Sequence, residues 1–367
     1  MLLVCDSSTD GYGWGILTLV HPWGYNMNRT YLGNMTRCVR VPKREGEAVR
    51  ADLVAGGMLD LDARIRADGD CLLIPILCDS FGDYEVVDAE MQVQEHRPTD
   101  YREVADVPED LRDILPTSFD IVGDVAMMKL PDELMQYRSV IGEALLKVNS
   151  NLRIVFLDDG VKGEFRIRDL QKVAGEGSSE TVHKEFGVRL YTDPARVYFN
   201  PRLSSERSRI ASMVADGEVI IDMFGGVAPF GTVICKNASP SEVYSIDLNP
   251  EAEHFARMNA EKNHVDNLFP MTGDSSELIY DLPMADRIIM NLPQIADRFL
   301  GFAMDRLKVG GTVHMYKIIE RVDFPALCDS LVREMEERGY SISISSSELK
   351  TYSPTMSVYS MDIVRTA

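Results

Sequence analysis

The sequence lacks what a membrane or secreted protein needs. No apolar run approaches the roughly 20 residues of a bilayer span. The opening residues lack the basic-then-apolar profile of a signal peptide. Cysteine is sparse, at positions 5, 38, 71, 78, 235 and 328, with no C-x-x-C pair. Neither a zinc site nor a disulfide framework is therefore expected, and the thiols read as reduced. These absences point to the cytoplasm, with no membrane partner and no metal. Internal repeats and low-complexity tracts are missing too. So is a G-x-G-x-x-G dinucleotide fingerprint.

Positive charge is also scarce. The chain carries 58 Asp and Glu against 38 Lys and Arg, a net of −20. Taken alone this argues against nucleic acid, because phosphate contacts need Lys and Arg. The distribution alters the argument. Residues 151–210 hold 11 Lys and Arg against 9 Asp and Glu, a net of +2 that leaves −22 elsewhere. That segment reads equally as a local polyanion footprint and as chance clustering.

What is present is a chain of 367 residues, enough for two or three domains. Residues 1–35 show little periodicity and read as an N-terminal extension, with Met27 and Met35 as alternative starts. Residues 36–80 read as a small α+β domain. It has strands at Arg37–Pro42 and Cys71–Ile76 around a helix from Glu45 to Gly57. The acidic, proline-punctuated stretch 81–116 reads as a linker. Residues 117–203 alternate again, predicting a central α+β domain with strands near 119–123, 126–130 and 153–157 and a helix over 133–148.

Residues 204–367 read as a doubly wound α/β unit. Strands are predicted at 218–223, 242–247, 267–271, 286–291, 311–317, 341–348 and 356–364, with helices between the first six. The last two form a hairpin edge. A seven-stranded Rossmann-like sheet of this kind is the layout of class I methyltransferases.

The stretch from Val219 to Phe230 is an apolar strand ending in Asp222, then Phe224, Gly225 and Gly226, then a helix start at Pro229. Glycines there let the backbone approach a ligand. The second strand ends in Asp247, placed for ribose hydroxyls. The third leads into Asp274 and Ser275, where an acid can receive an adenine amino group. Each acid alone is equally a helix N-cap; three at successive strand ends make capping alone a poor account. The loop favours S-adenosyl-L-methionine over NAD, since Pro229 at a helix start suits a ligand without pyrophosphate. Asn291-Leu292-Pro293 ends the fourth strand, where a polar side chain followed by proline can hold a flat heterocycle.

Upstream, Arg202, Glu206 and Arg207 fall at i, i+4 and i+5 of a helix beginning near Leu203. From residue types alone, a surface salt bridge between Arg202 and Glu206 is the preferred reading. Arg166 reads as a solvated strand residue unless it reaches across a domain boundary.

Together these residues resemble the archaeal and eukaryotic tRNA (guanine-37-N1)-methyltransferases. The likeness runs from about Arg37 to the C-terminus. It is carried by Gly163–Arg166, Thr181–Gly187, Val197–Arg207, Val219–Phe230, Val243–Pro250, Ala285–Pro293 and Ser353–Val364; the ordered series is specific, no single piece is. The resemblance implies methyl transfer from S-adenosyl-L-methionine to N1 of the guanine 3′ to the anticodon. It implies contact with the tRNA at its anticodon loop and outer corner; a monomer is expected. It also implies roles: Arg166 on guanine O6, Glu206 as acceptor of the N1 proton, Asn291 and Pro293 shaping the base pocket. Tyr198, Arg202 and Arg207 match positions near base, phosphates and cofactor. Phe224, Asp247, Asp274 and Ser275 match cofactor contacts, and Asp222, Gly226, Arg207 and Asn291 are expected to bind the cofactor with them. The salt-bridge reading of Glu206 is thereby reversed.

The chain departs from the family's Phe-Ala-Gly-Val-Gly-Pro-Phe at Gly225 and Ala228, and Asn200 replaces a common serine. Ala228 is expected to put a methyl group where the backbone approaches the cofactor. Alternatives are a wyosine-pathway relative, transferring an aminocarboxypropyl group or methylating a tricyclic guanine, and a non-catalytic tRNA-binding protein. The intact Arg166, Glu206 and Asn291 set argues against the latter. A small-molecule methyltransferase would not need the N-terminal domains.

Overall fold

The computed structural model describes residues 35–92, 98–163 and 165–367. All but the last residue of the expected 1–35 extension lie outside them; Met35 opens the first strand. The chain divides into two compact units, Met1–Arg97 and Pro98–Ala367.

In the first unit, β1 (Met35–Pro42) is followed by helix α1 (Gly46–Ala55), β2 (Arg66–Asp68), β3 (Cys71–Pro75) and β4 (Glu85–Glu90). They form an antiparallel sheet in the order β2-β3-β1-β4. Val49 and Leu53, one turn apart on α1, pack on Val39, Val41 and Ile74. β2 and β4 were not anticipated. β2 is short and exposed, and β4 alternates too weakly to show in the pattern.

The stretch 81–116 is not a linker. It contains β4, and its second half enters a core, with Tyr101, Ala105, Val107 and Leu115 packed beside Leu134, Ile141 and Leu145. The prolines that suggested a loose connection act locally. Pro108 opens a 3-10 helix, Glu109–Ile114, and the Pro116 carbonyl accepts the Tyr101 hydroxyl at 2.5 Å.

A sheet of β5 (Asp120–Val122), β6 (Val125–Met128), β7 (Ile154–Lys162) and β8 (Ile167–Gly175) follows, with α2 (Arg138–Val148) crossing between β6 and β7. Next comes the hairpin β9 (Thr181–Glu185) and β10 (Val188–Thr192). Then come α3 (Ser204–Met213), β11 (Val219–Asp222), α4 (Pro229–Asn237), β12 (Glu242–Asp247), α5 (Pro250–Asn263) and β13 (Leu268–Thr272). The chain ends with α6 (Ser275–Leu278), β14 (Ala285–Met290), α7 (Leu300–Arg306), β15 (Leu307–Glu320), α8 (Phe324–Glu337), β16 (Ile342–Thr351) and β17 (Met356–Arg365). The large sheet runs β13-β12-β11-β14-β15-β17-β16, parallel except for β17, which is antiparallel to both its neighbours. Strand order reverses between β11 and β14. Open α/β sheets bind ligands at the carboxyl ends of strands at such a point.

The regions 117–203 and 204–367 are not separate bodies. One core cluster joins Val125, Met127 and Ile154 of the upstream sheet to Val243 of the large one and to Phe230 and Phe255 of its flanking helices α4 and α5. Side-chain amides on α5 fasten the hairpin. Asn259 Oδ1 accepts Tyr191 N at 2.6 Å and Asn263 Oδ1 accepts Arg189 N at 2.9 Å, while their amino groups donate to the carbonyls of the same two residues. Two asparagines one turn apart thus take the place of a neighbouring strand.

Candidate active site

At the end of β11 the chain turns sharply. Gly225 N donates to Ile246 O at 2.7 Å, and Gly226 N donates to Asp247 Oδ2 at 2.8 Å. Gly226 has φ of 54°, which glycine adopts without penalty. A Cβ on Gly225 would lie 1.9 Å from Ser245 Oγ, so an alanine there requires the Ser245 hydroxyl to turn aside. Ala228 caps α4 in the left-handed conformation, φ 56° and ψ 45°, and Pro229 takes the first helical position.

This turn forms one side of a cavity of about 510 Å³, within the size range of small-ligand sites. Its wall brings together residues far apart in sequence. Arg166 and Tyr198 come from upstream, Phe224 and Gly226 from the turn, and Asp247 and Leu248 from the end of β12. Asp274 and Ser275 come from the start of α6, and Asn291 and Pro293 from the end of β14. All lie in the second unit.

Asp247 is half-buried, and desolvation raises its pKa although Gly226 N and Asn249 N bond its carboxylate. Asp274 is both cap and wall. Its Oδ1 accepts Ser276 N at 2.8 Å while the residue faces the cavity. The N-cap and ligand readings of this acid are therefore compatible. Phe224 is steadied by Phe299, ring edge to face at 5.0 Å. The turn after β14 is pinned from β15: Ile318 N donates to Pro293 O at 2.8 Å, and Lys317 Nζ donates to Gln294 O at 3.1 Å while pairing with Asp297.

Arg166 lies in the turn between β7 and β8, with φ of 54°, and its guanidinium stands 5.6 Å from the centre of the Tyr198 ring. Among the described residues it has no carboxylate partner. It is a wall residue and not a solvated strand residue, because the upstream and large sheets share one core. Asn200 caps the 3-10 turn Pro201–Leu203 by accepting Arg202 N at 3.0 Å, as the family's serine could.

Four expectations change. Asp222 is fully buried but lies outside the wall, beneath the turn, with Oδ1 3.4 Å from Phe224 N; burial, with the nearby Asp247 charge, pushes its pKa up to about 7. Arg202 is not in the wall either. It pairs with Asp120 at 2.7 Å, not with Glu206. Arg207 is 1 % exposed and does reach the wall, but Glu185 holds its guanidinium through bonds of 2.5 and 2.6 Å, and Nη1 donates to Asn200 O. Burial would raise the Glu185 carboxyl, yet bonds from His183 and Arg207 outweigh it and hold it low. Arg207 thus ties α3 to β9.

The fourth is Ala228. Its methyl group is packed in the core, not in the cavity wall. The family's glycine at this place answers the left-handed backbone, which costs an alanine about 1–2 kcal/mol.

Glu206 is buried on α3, 8 % exposed, between the wall residues Leu203 and Arg207 but not itself in the wall. It bonds Arg209 and the Tyr316 hydroxyl. Sequence reasoning missed Tyr316, Glu185 and the apolar wall residues Phe165, Leu248 and Phe299. Only Arg209 left a signal, its i,i+3 spacing from Glu206.

The chemistry of this wall fits S-adenosyl-L-methionine. The backbone N–H groups of Gly225 and Gly226, which would cradle a pyrophosphate, are already bonded to Ile246 and to the Asp247 carboxylate. An acid in that place repels phosphate and suits hydroxyl and amine donors. Phe224 and Leu248 offer apolar surface to a purine.

The sequence matches three family models: the tRNA methyltransferase 5 N-terminal domain over residues 38–85, the TYW2 N-terminal domain over 103–178, and the TRM5/TYW2 methyltransferase domain over 181–343. It is 44% identical over 283 residues to the tRNA (guanine(37)-N(1))-methyltransferase Trm5b of Pyrococcus abyssi, covering 77% of this chain and 84% of that one. The crystal structure of Pyrococcus abyssi Trm5b superposes with a TM-score of 0.76 at 38% identity, covering 91% of this chain and 100% of that one. A complex of aTrm5 with tRNALeu superposes with a TM-score of 0.71 at 31% identity, covering 90% and 99%. Acid-ended strands, a phosphate-averse turn and these likenesses agree, and the chain belongs to the tRNA (guanine-37-N1)-methyltransferase family, built on the S-adenosylmethionine-dependent class I methyltransferase fold.

Proposed function

We infer that this protein methylates N1 of guanine 37 in tRNA, and we propose the following roles for its residues. The observation that carries the reading is a single cavity wall. It unites the acid-lined turn with Arg166, Tyr198, Asn291 and Pro293. S-adenosyl-L-methionine, when bound, supplies the methyl group. Asp247 and Asp274 hold its hydroxyl and amino groups, and Phe224 and Leu248 flank its purine.

Guanine N1 carries a proton and is a poor nucleophile until that proton leaves. Arg166 lines the cavity and is free of a carboxylate among the described residues, so it can stabilise the charge that grows on O6. Asn291 hydrogen-bonds the base edge, and Pro293 packs against it. Glu206 takes the N1 proton as general base, which requires the base to approach it between Leu203 and Arg207. A guanine stacked in the anticodon loop cannot reach this wall, so the nucleotide is flipped out. Arg202 and the first unit serve the tRNA, at the anticodon loop and outer corner, and the enzyme acts as a monomer.

The test uses labelled S-adenosyl-L-methionine and unmodified tRNA transcripts with guanine or adenine at position 37. The modified nucleoside is then identified by mass. A single methyl gain on the guanine transcript alone is expected. Label on the adenine transcript, or a gain other than one methyl, overturns the reading. The match of residues 103–178 to a TYW2 N-terminal domain favours a wyosine-pathway enzyme as the second reading. A methyl or aminocarboxypropyl gain on tRNA carrying a tricyclic guanine at position 37, with none on the guanine transcript, would reveal it.

A further inference from the structure

Glu206 is enclosed by polar groups from three elements. From α3, Arg209 Nε lies 3.1 Å from both carboxylate oxygens and Nη2 lies 2.9 Å from Oε2. From β15, the Tyr316 hydroxyl donates to Oε2 at 3.0 Å. From β17, Asp362 takes the other edge of the same guanidinium, at 2.7 Å from Nη1 and 3.2 Å from Nη2. Asp362 is in turn 2.6 Å from His314 Nδ1, and His314 Nε2 is 2.6 Å from Arg287 Nη1. Arginine only donates, so Nε2 accepts and the His314 proton sits on Nδ1, facing Asp362. Burial and the neighbouring cations favour that neutral ring by lowering its pKa, against the pull of Asp362. Arg287 is balanced by Glu218.

The other charges nearby are turned away. Arg207 faces Glu185 and Arg202 faces Asp120. α4 adds apolar Phe230, Val233 and Ile234 to the cluster shared with Ile210 of α3, and its Lys236 donates to Asn263 O.

Two consequences follow from this arrangement. Oε2 receives three donors, whereas Oε1 receives only the Arg209 Nε–H that it shares with Oε2. Oε1 is therefore the oxygen with room for a proton. Arg209 alone would leave a full cation against the proton acceptor. Asp362, gripping the same guanidinium, offsets that cation. Burial would raise the Asp362 carboxyl, but His314 and Arg209 outweigh it and keep Asp362 ionised.

We propose that Arg209, Tyr316 and Asp362 are positioning residues that present Glu206 Oε1 to the guanine N1 proton, Asp362 by holding and neutralising the Arg209 guanidinium. The proposal rests on the reading of Glu206 as the base. In the step, the N1–H bond breaks, the proton passes to Oε1, and its electron pair stays on N1 to form the bond to the methyl group. The C–S bond pair leaves with the thioether of the spent donor.

The test is the pH profile of single-turnover methyl transfer to the guanine-37 transcript, with cofactor affinity and thermal stability measured alongside. In Asp362→Asn the acidic limb moves down by about one pH unit and the plateau falls about tenfold, because the uncompensated cation weakens the base. In Tyr316→Phe the limb moves up, because a donor to the charged form is lost. Asp362→Glu restores the original limb. Loss of rate or stability in both variants with the limb unmoved means a merely structural role and overturns the proposal. If Asp362→Asn does not fold, Tyr316→Phe decides alone: an upward shift supports the clamp and an unmoved limb overturns it. If Glu206→Gln keeps the wild-type rate, the base assignment fails and the clamp fails with it. If Glu206→Gln abolishes transfer while the limbs stay fixed in the other variants, only the clamp fails.

Discussion

At the scale of single residues, the cavity separates holding the cofactor from driving the chemistry. Arg166→Ala removes the cation proposed for O6 but no cofactor contact. The rate of methyl transfer should fall about 100-fold or more, with S-adenosyl-L-methionine affinity unchanged and tRNA affinity reduced far less. Single-turnover rates and equilibrium binding check this, and equal losses in rate and tRNA affinity would reassign Arg166 to binding. Asp222 makes a different prediction. Its folded pKa, pushed up to about 7, exceeds the roughly 3.9 of an unfolded aspartate. The native state therefore keeps a proton that the unfolded chain releases between those values. The stability from this group is whole below about pH 4 and is lost as pH rises through 7. Asp222→Asn cannot ionise, so its stability relative to wild type should climb across that window and level off above it. The gain should be on the order of a few kcal/mol. Urea unfolding at pH 5 and pH 8 measures the difference; equal values at both would mean that Asp222 ionises freely in the fold.

At the scale of elements, the site depends on how α5 grips its surroundings. Asn259 bonds both backbone groups of Tyr191 and also donates to Val227 O, inside the cofactor turn, at 2.9 Å. Asn259→Leu would leave a buried N–H and two carbonyls without partners, at a cost of about 3 kcal/mol or more. Because one of those carbonyls belongs to the turn, cofactor affinity should fall together with the melting temperature. A melting-temperature loss with unchanged affinity would show that the turn holds itself. The strands ending in Asp222, Asp247 and Asn291 were legible in the sequence because buried parallel strands are short apolar runs with abrupt polar ends. The hairpin strand β10 was not. Val188–Thr192 is brief, and on the edge away from β9 its hydrogen-bonding neighbour is a pair of asparagine side chains some seventy residues downstream.

At the scale of the whole molecule, every wall residue of the cavity lies in the unit Pro98–Ala367. A fragment of residues 98–367 should bind S-adenosyl-L-methionine as the full chain does but lose affinity for tRNA. Calorimetry with the cofactor and filter binding with the tRNA test both halves, and undiminished tRNA binding would exclude a role for the first unit. The net charge of −20 does not oppose this, because phosphate contacts depend on where cations stand and not on their sum. Division of the chain was the least legible property. The acidic stretch 81–116 looked like a linker, yet it buries Tyr101 and Leu115, because composition reports average polarity and not which few side chains turn inward.

The sequence by itself determined the sheet, the ligand class and the family. Those rest on local signals: apolar periodicity, the chemistry at strand ends, and an ordered series of short motifs. Tertiary structure decided what each charged side chain faces. Arg202 turns to Asp120, Arg207 to Glu185, and Glu206 to Arg209 and Tyr316. All but the Arg209 contact join residues more than twenty positions apart. The physical reason is that a buried charge must find its counter-charge in space, and spacing along a helix shows only the partners one turn away.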